Sequence, residues 1–321
     1  MKSAERPSQD CRYWQDSRHR TRARFASVNS TTSSGNAMAL DYDRLMQLDI
    51  PPLEQTFTER DSIIYALGIG IGQDPLDEAQ LRFVYEKNLL TMPTMGVVVG
   101  YMKVRDLPLG IVYEKAVHGE QGLRLHKPLP AAGTFVSKIK VTEVIDRGAD
   151  KGTVIYMSRT LTNKASGELL ATLTSSIFCR GDGGFGGPAR STPPVHAIPE
   201  RVADVVCDLP TVPWQALIYR LSGDVNPLHA EPAAAKAVGF ERPILHGLAT
   251  FGIVGHALVK GVCGYDPAKL VALDGRFSSP VYPGDTIRTE LWRDGNIVAV
   301  RSSVPARNVV VFNNGRAEIT G

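Results

Sequence analysis

The chain repeats itself once, and that repeat limits its possible folds more than any other feature. Tyr65-Ala-Leu-Gly68 has a counterpart in Tyr219-Arg-Leu-Ser-Gly223, and the apolar segment Pro93–Gly100 has one in Pro243–Gly255. Pro128-Leu-Pro-Ala-Ala-Gly133 is answered by Pro280-Val-Tyr-Pro-Gly284. The spacing is kept as well: Tyr65 and Pro130 are 65 residues apart, Tyr219 and Pro283 are 64 apart. One supersecondary unit used twice at a fixed spacing marks an internal duplication. In each copy an apolar helical stretch precedes a run of strands, and a sheet curled around one helix buries the apolar face of both. The expectation is an α+β chain of two repeats, each a long central helix wrapped by an antiparallel β-sheet.

The local patterns fill in this frame. Asp41–Leu48 reads as a short helix closed by Ile50-Pro-Pro52. Thr58 and Asp61 form a capping box for a helix through Leu67, which Gly68-Ile-Gly-Ile-Gly72 ends. That glycine run is not a dinucleotide loop, because its spacing is not G-x-G-x-x-G and a helix enters it rather than leaves it. Leu81–Tyr85 reads as a strand, and Thr94–Gly100 as a wholly apolar helix or strand. Leu123–His126 is a short alternating segment. Phe135–Ile145, Gly152–Thr162 and Glu168–Cys179 then form three long strands of a meander. Arg180–Pro194, with five glycines and three prolines, reads as a linker. Beyond it come a helix or strand at Gln215–Leu221, an alanine-rich helix at Pro232–Val238 and, after Pro243-Ile-Leu-His-Gly247, an apolar helix through Leu258. Strands follow at Ala268–Ser278, Thr286–Arg293, Ile297–Val304 and Val309–Ile319. The domain expectation is a basic tail (1–37), a first half (38–179), a linker (180–198) and a second half (199–321).

Charge excludes one class of function. Residues 1–37 carry seven Lys and Arg against three Asp and Glu, which leaves the remainder near −1 of the total +3. No basic face for nucleic acid is expected. The tail reads as disorder, as sequence before a later start at Met38, or as a targeting segment, the first two ahead of the third. No apolar run reaches membrane-spanning length without charges or breakers, so a soluble chain is expected. The cysteines at 11, 179, 207 and 263 have no metal-ligand spacing and read as isolated reduced thiols. No metal and no cofactor is expected.

The two halves differ at one place. Ser222-Gly-Asp-Val-Asn-Pro-Leu-His229 brings a carboxylate, an amide and an imidazole into one turn, where the first half has Gly-Ile-Gly-Gln-Asp-Pro and no histidine. Asp224 and His229 can serve as an acid–base pair, with Asn226 fixing a water. The alternative makes Asp224 a cap, Asn226 a turn former and His229 a buried structural residue. His246-Gly247 stands at the start of the second apolar helix, where a backbone N–H can stabilise a developing oxyanion. Against that, His246 can be a packing or capping residue, and Gly247 a requirement of close helix–sheet contact. No G-x-S-x-G elbow is present, so water is the expected nucleophile.

Tyr219-Arg-Leu-Ser-Gly-Asp-Val-Asn-Pro-Leu-His229, with Ala237-Val-Gly-Phe240 and Pro243-Ile-Leu-His-Gly-Leu248, resembles the signature of the MaoC-like, or hydratase-2, family. Arg82-Phe-Val-Tyr85, Val117-His-Gly-Glu-Gln121 and Gly183-Gly-Phe-Gly-Gly187 extend the likeness from about residue 40 to the end, toward the hydratase unit of peroxisomal multifunctional enzymes. The resemblance implies a double hot-dog fold and reversible syn addition of water to a trans-2-enoyl-CoA, giving a (3R)-3-hydroxyacyl-CoA. It implies catalysis by Asp224 and His229, water held by Asn226, and the thioester carbonyl polarised by the Gly247 N–H. It implies contact of His118, Gly119, Arg147 and Phe277 with the CoA thioester, with Arg147 at a position where the family can have lysine. The first half then reads as the non-catalytic one, with room for medium, long or bulky acyl chains. Other readings stay open: a dehydratase of the same fold acting on hydroxyacyl-ACP or a specialised hydroxyacyl-CoA, a thioesterase, or a non-catalytic acyl-CoA-binding protein. The expected partner is the acyl-CoA substrate, without nucleic acid or membrane, and a homodimer is conceivable. The given sequence ends in Thr320-Gly321 rather than a Ser-Lys-Leu peroxisomal address. A cytoplasmic site is the expectation for a bacterial protein, with organellar targeting by the tail left open.

Overall fold

The computed structural model describes residues 40–188 and 190–320. The expectation for the basic tail at 1–37 lies outside the described residues. The first half contains α1 (Tyr42–Met46), β1 (Leu53–Phe57), α2 (Glu59–Gly68), α3 (Glu78–Leu81), β2 (Ala116–Leu125), β3 (Gly133–Asp146), β4 (Thr153–Asn163) and β5 (Leu169–Cys179). The second contains β6 (Val205–Pro210), α4 (Gln215–Tyr219), α5 (Pro232–Ala237), α6 (Gly247–Gly261), β7 (Leu270–Phe277), β8 (Thr286–Asp294), β9 (Ile297–Val304) and β10 (Val309–Ile319). The described residues between β5 and β6 include no helix or strand.

All ten strands belong to one antiparallel sheet, in the order β1-β3-β4-β5-β2-β7-β10-β9-β8-β6. Read outward from the middle, each half runs through the same five strands in the same connectivity. The repeat seen in the sequence is therefore a repeat of topology, and the halves join where β2 pairs with β7. This is the α+β double hot-dog. The main apolar core does not respect the halves: Tyr65, Met95 and Leu123 from the first share it with Phe251, Leu258 and Phe312 from the second. A smaller core lies under α1, around Leu45, Leu109, Val144 and Ile155.

The central helix of the second half is α6, and every residue from Leu248 to Val259 is buried. A helix apolar all round is one enclosed on all sides. Gly252 and Gly255 set how closely it is enclosed. A Cβ on Gly252 would meet Ile69 Cγ2 and the Tyr65 hydroxyl, and one on Gly255 would meet Thr94. These glycines face the first half rather than the sheet.

Two expectations need correction. The first half lacks the long central helix: Pro93–Val97 is a single 3₁₀ turn. Gly96 and the β-branched run Val97-Val98-Val99 disfavour a longer helix, and Gly100 turns the chain away at φ +61. Leu81–Tyr85 is not a strand, because Asp77 caps α3 through the Ala79 and Gln80 N–H groups and turns follow. Strands β1 and β6 were not anticipated. The capping box of α2 is as expected, with Asp61 Oδ2 accepting from both the N–H and the hydroxyl of Thr58 at 2.7 Å.

Candidate active site

Local turn chemistry presents the reactive loop. Helix α4 ends at Tyr219, one 3₁₀ turn follows, and Gly223 reverses the chain at φ +123, a conformation that favours glycine. Asp224 Oδ1 then accepts from the Asn226 N–H, and Asn226 Oδ1 accepts from the Leu228 N–H, both at 3.1 Å. Pro227 opens the 3₁₀ turn that carries His229 inward. The turn-forming roles considered for Asp224 and Asn226 are thus present, and they use only part of each side chain. Asn226 is exposed, Asp224 half-buried and His229 buried.

His229 donates its Nδ1–H to the Ile244 carbonyl at 2.9 Å. A carbonyl can only accept, so in the neutral ring the lone pair is left on Nε2. Burial lowers the His229 pKa from 6.5, opposed by the Ile244 carbonyl and the Asp224 carboxylate. The neutral form therefore dominates at pH 7. One donor atom each from Asp224, His229 and His246 lies within 4.8 Å of the other two. Two polar atoms that close can both reach a single water at about 2.8 Å. The same residue types can ligate a metal. However, the His229 and His246 rings stack with centroids 3.7 Å apart and 26° between planes. An ion shared between stacked rings would lie out of the plane of both lone pairs, so the geometry opposes a metal centre.

Gly247 is the first residue of α6, after His246 as N-cap. Its N–H is one of the helix's orphan donors. The Phe277 ring lies 3.7 Å from where a Gly247 Cβ would sit, an ordinary contact, so close packing does not by itself require glycine there. The Phe277 and His118 rings meet edge to face, with centroids 5.0 Å apart. His118 Nε2–H donates to the Glu120 carbonyl at 3.0 Å, and burial lowers its pKa to about 4. Gly119 sits in a β-bulge, where the β2–β5 register steps from His118–Ile177 to Glu120–Ser176. The β2–β7 ladder runs from Arg124–Ala272 to Glu120–Arg276 and stops. His118, Gly119 and Phe277 are the next residues outward, so the seam between the halves opens beside the loop. Arg147 stands apart, exposed in the β3–β4 hairpin turn.

Some neighbours carried no sequence signal as site residues. The Asp224 charge helps to raise the pKa of Tyr101 and Tyr219, after the larger effect of burial. Tyr219 stands out in the sequence as a repeat marker and as the start of the family-like stretch, not as a site residue. Tyr101 lies more than a hundred residues away from Asp224, and nothing in its own surroundings singles it out.

A family profile described as the MaoC like domain matches residues 194–314, the half that holds the loop. A second, the MFE-2 hydratase 2 N-terminal domain, matches residues 55–181. "Enoyl-CoA hydratase 2, peroxisomal" of Arabidopsis thaliana is 37% identical over 87% of this chain and 95% of its own length. The chain belongs to the MaoC-like hydratase-2 family. Another relative, the "Peroxisomal multifunctional enzyme type 2" of Mus musculus, is 35% identical over 94% of this chain, which spans only 42% of that longer protein. Among solved structures, a MaoC-like dehydratase from Phytophthora capsici aligns with a TM-score of 0.77 and 34% identity over 87% of this chain and 98% of that one. The family divides its profiles at the same place as the repeat, one profile for each half.

Proposed function

We propose that this chain is a (3R)-specific enoyl-CoA hydratase, adding water reversibly to a trans-2-enoyl-CoA to give a (3R)-3-hydroxyacyl-CoA. Family membership supports the broader hydro-lyase activity. The observation that carries the finer reading is the approach of Asp224 and His229, within reach of one water, with the His229 lone pair set on Nε2. In the proposed reaction the water oxygen bonds to C3 while its proton is drawn to the Asp224–His229 pair, and Asn226 helps to hold that water. The π electrons move onto the thioester oxygen, where the Gly247 N–H stabilises the enolate. The pair then returns the proton to C2, so one water is consumed and both bonds form on the same face. The stereochemical assignment follows the family's pattern.

The opened seam is the proposed seat of the thioester, with His118, Gly119 and Phe277 lining it and Arg147 available to a CoA phosphate farther out. The broken helix of the first half favours medium, long or bulky acyl chains, because a 3₁₀ turn fills less of the interior than α6 does. The convergence of the two side chains weighs against a non-catalytic acyl-CoA-binding protein.

The test is loss of enoyl absorbance over a series of acyl-CoA chain lengths, followed by product chirality. Asp224→Asn and His229→Gln should each lower kcat by about 10²–10⁴-fold or more while the thermal melt stays cooperative. Full activity in either variant, or an (S)-product, would overturn the assignment.

A further inference from the structure

His246 touches each part of the candidate machinery. Its Nε2–H donates to the Asp224 main-chain carbonyl at 3.1 Å, across 22 residues of sequence. Its ring stacks on His229 at 3.7 Å, and Tyr219 packs against it at 5.0 Å. Its own carbonyl accepts from the Ala249 and Thr250 N–H groups at 3.1 Å and so begins α6, of which Gly247 is the first residue. Asp224 and His229 lie on one loop and Gly247 on another segment, and this side chain with its own peptide links all three.

Besides the bond from His229 Nδ1–H to the Ile244 carbonyl, the loop has little else to hold it in place. Gly223, Val225, Asn226 and Pro227 are exposed, and the local bonds at Asp224 and Asn226 shape the turn without anchoring it to α6. His246, by contrast, is 1% exposed. Its Nδ1 is buried without a hydrogen-bond partner, so its one polar contact is the bond to the loop. Burial and the neighbouring His229 push its pKa down to about 2, which keeps a neutral donor on Nε2 across the working pH range.

We propose that His246 is a positioning residue: it sets Asp224 and His229 at their working separation and in register with the Gly247 N–H, through the bond to the Asp224 carbonyl and the stack on His229. The inference rests on the hydratase reading above. A residue in this role acts on the transition-state geometry and leaves ground-state substrate binding nearly unchanged. A displacement of about 1 Å in a reacting pair is enough to cost roughly 10²-fold in rate.

The test uses the full chain with two variants, read by steady-state enoyl-CoA hydration and by thermal melts. His246→Phe keeps a ring to stack but loses the donor; it should lower kcat by about 30–100-fold with KM changed less than about threefold. His246→Gln places an amide N–H near the position of Nε2; it should recover at least about fivefold of that loss. A phenylalanine variant with kcat within about twofold of wild type would overturn the inference, as would a loss confined to KM or a glutamine variant no better than phenylalanine. If His246→Phe does not fold, His246→Gln decides alone. A kcat no more than about tenfold down at unchanged KM upholds the role, and a loss approaching that of Asp224→Asn ends it. Wild-type protein inert toward every enoyl-CoA, or full activity in Asp224→Asn, would sink the hydratase reading and this inference with it. An active wild type with a full-rate phenylalanine variant sinks only the inference.

Discussion

Gly247 separates two roles that usually come together, the start of a helix and the gift of an N–H. It is the first helical position of α6, where proline is well tolerated because that N–H has no intrahelical acceptor. The preceding residue, His246, has φ −58° and ψ 139°, within the region that a following proline demands. Gly247→Pro should therefore leave the melting temperature within a few degrees of wild type and lower kcat for hydration by about 10²–10³-fold, the usual cost of deleting one oxyanion donor. A proline variant with wild-type kcat would remove Gly247 from the oxyanion role. At this scale the candidate residues Asp224, Asn226 and His229 were legible in the sequence as a group, because an acid, an amide and an imidazole in one glycine- and proline-bounded turn are uncommon together. The link from His246 to that turn was not. Its bond is to a main-chain carbonyl, an acceptor that every residue carries, so no residue type at the far end announces it.

The elements that escaped the sequence reading have physical reasons in common. Strands β1 and β6 are the two ends of the sheet, each paired on one side only, β1 with β3 and β6 with β8. A short strand such as Leu53-Glu-Gln-Thr-Phe57 needs no long apolar alternation when one neighbour supplies its register. The meander β3-β4-β5 was clear because its inner strands alternate over eleven residues or more. Where Gly96 and the valine run stop the first-half helix, a residue from another element satisfies the carbonyls left over. Arg159, buried in β4, donates to the carbonyls of Gly96 and Val97 at 3.1 and 2.8 Å, and also to that of Val99. An arginine fork takes the place that further helical N–H groups would have filled, and burial lowers its pKa to about 10. Arg159→Met should leave those buried carbonyls short of donors, at a cost of about 3 kcal/mol or more. In a thermal melt that corresponds to a fall of roughly 6–12 °C. A loss under about 1 kcal/mol by urea denaturation would mean that other donors reach these carbonyls.

The sheet and the shared core make the halves one folding unit, and the histidines buried in it tie its stability to pH. His246 and His256 are each 1% exposed, and burial depresses their pKa values from 6.5 to about 2 and about 4. His118, at the mouth of the seam, is lowered to about 4. Below pH 6.5 the unfolded chain binds protons that the folded chain refuses, so acid favours unfolding. The stability is complete above pH 6.5 and is lost as pH falls toward the folded values. Each fully buried histidine contributes a slope of up to about 1.4 kcal/mol per pH unit. His246 and His256 together should therefore cost roughly 3–4 kcal/mol between pH 6.5 and 5. The carboxylates act in a separate window. Glu318 is held down to about 2 by hydrogen bonds from Arg124 and Arg316, so its contribution persists until the pH falls through its ordinary value of 4.5. Urea denaturation at pH 7, 6 and 5 should show stability falling above the range in which the Glu318 contribution is lost. His256→Gln, which removes one such group, should make that fall shallower by about one proton's worth. Equal stability at pH 7 and pH 5, or an unchanged slope in His256→Gln, would show that these rings take up protons as readily in the folded chain as in the unfolded one.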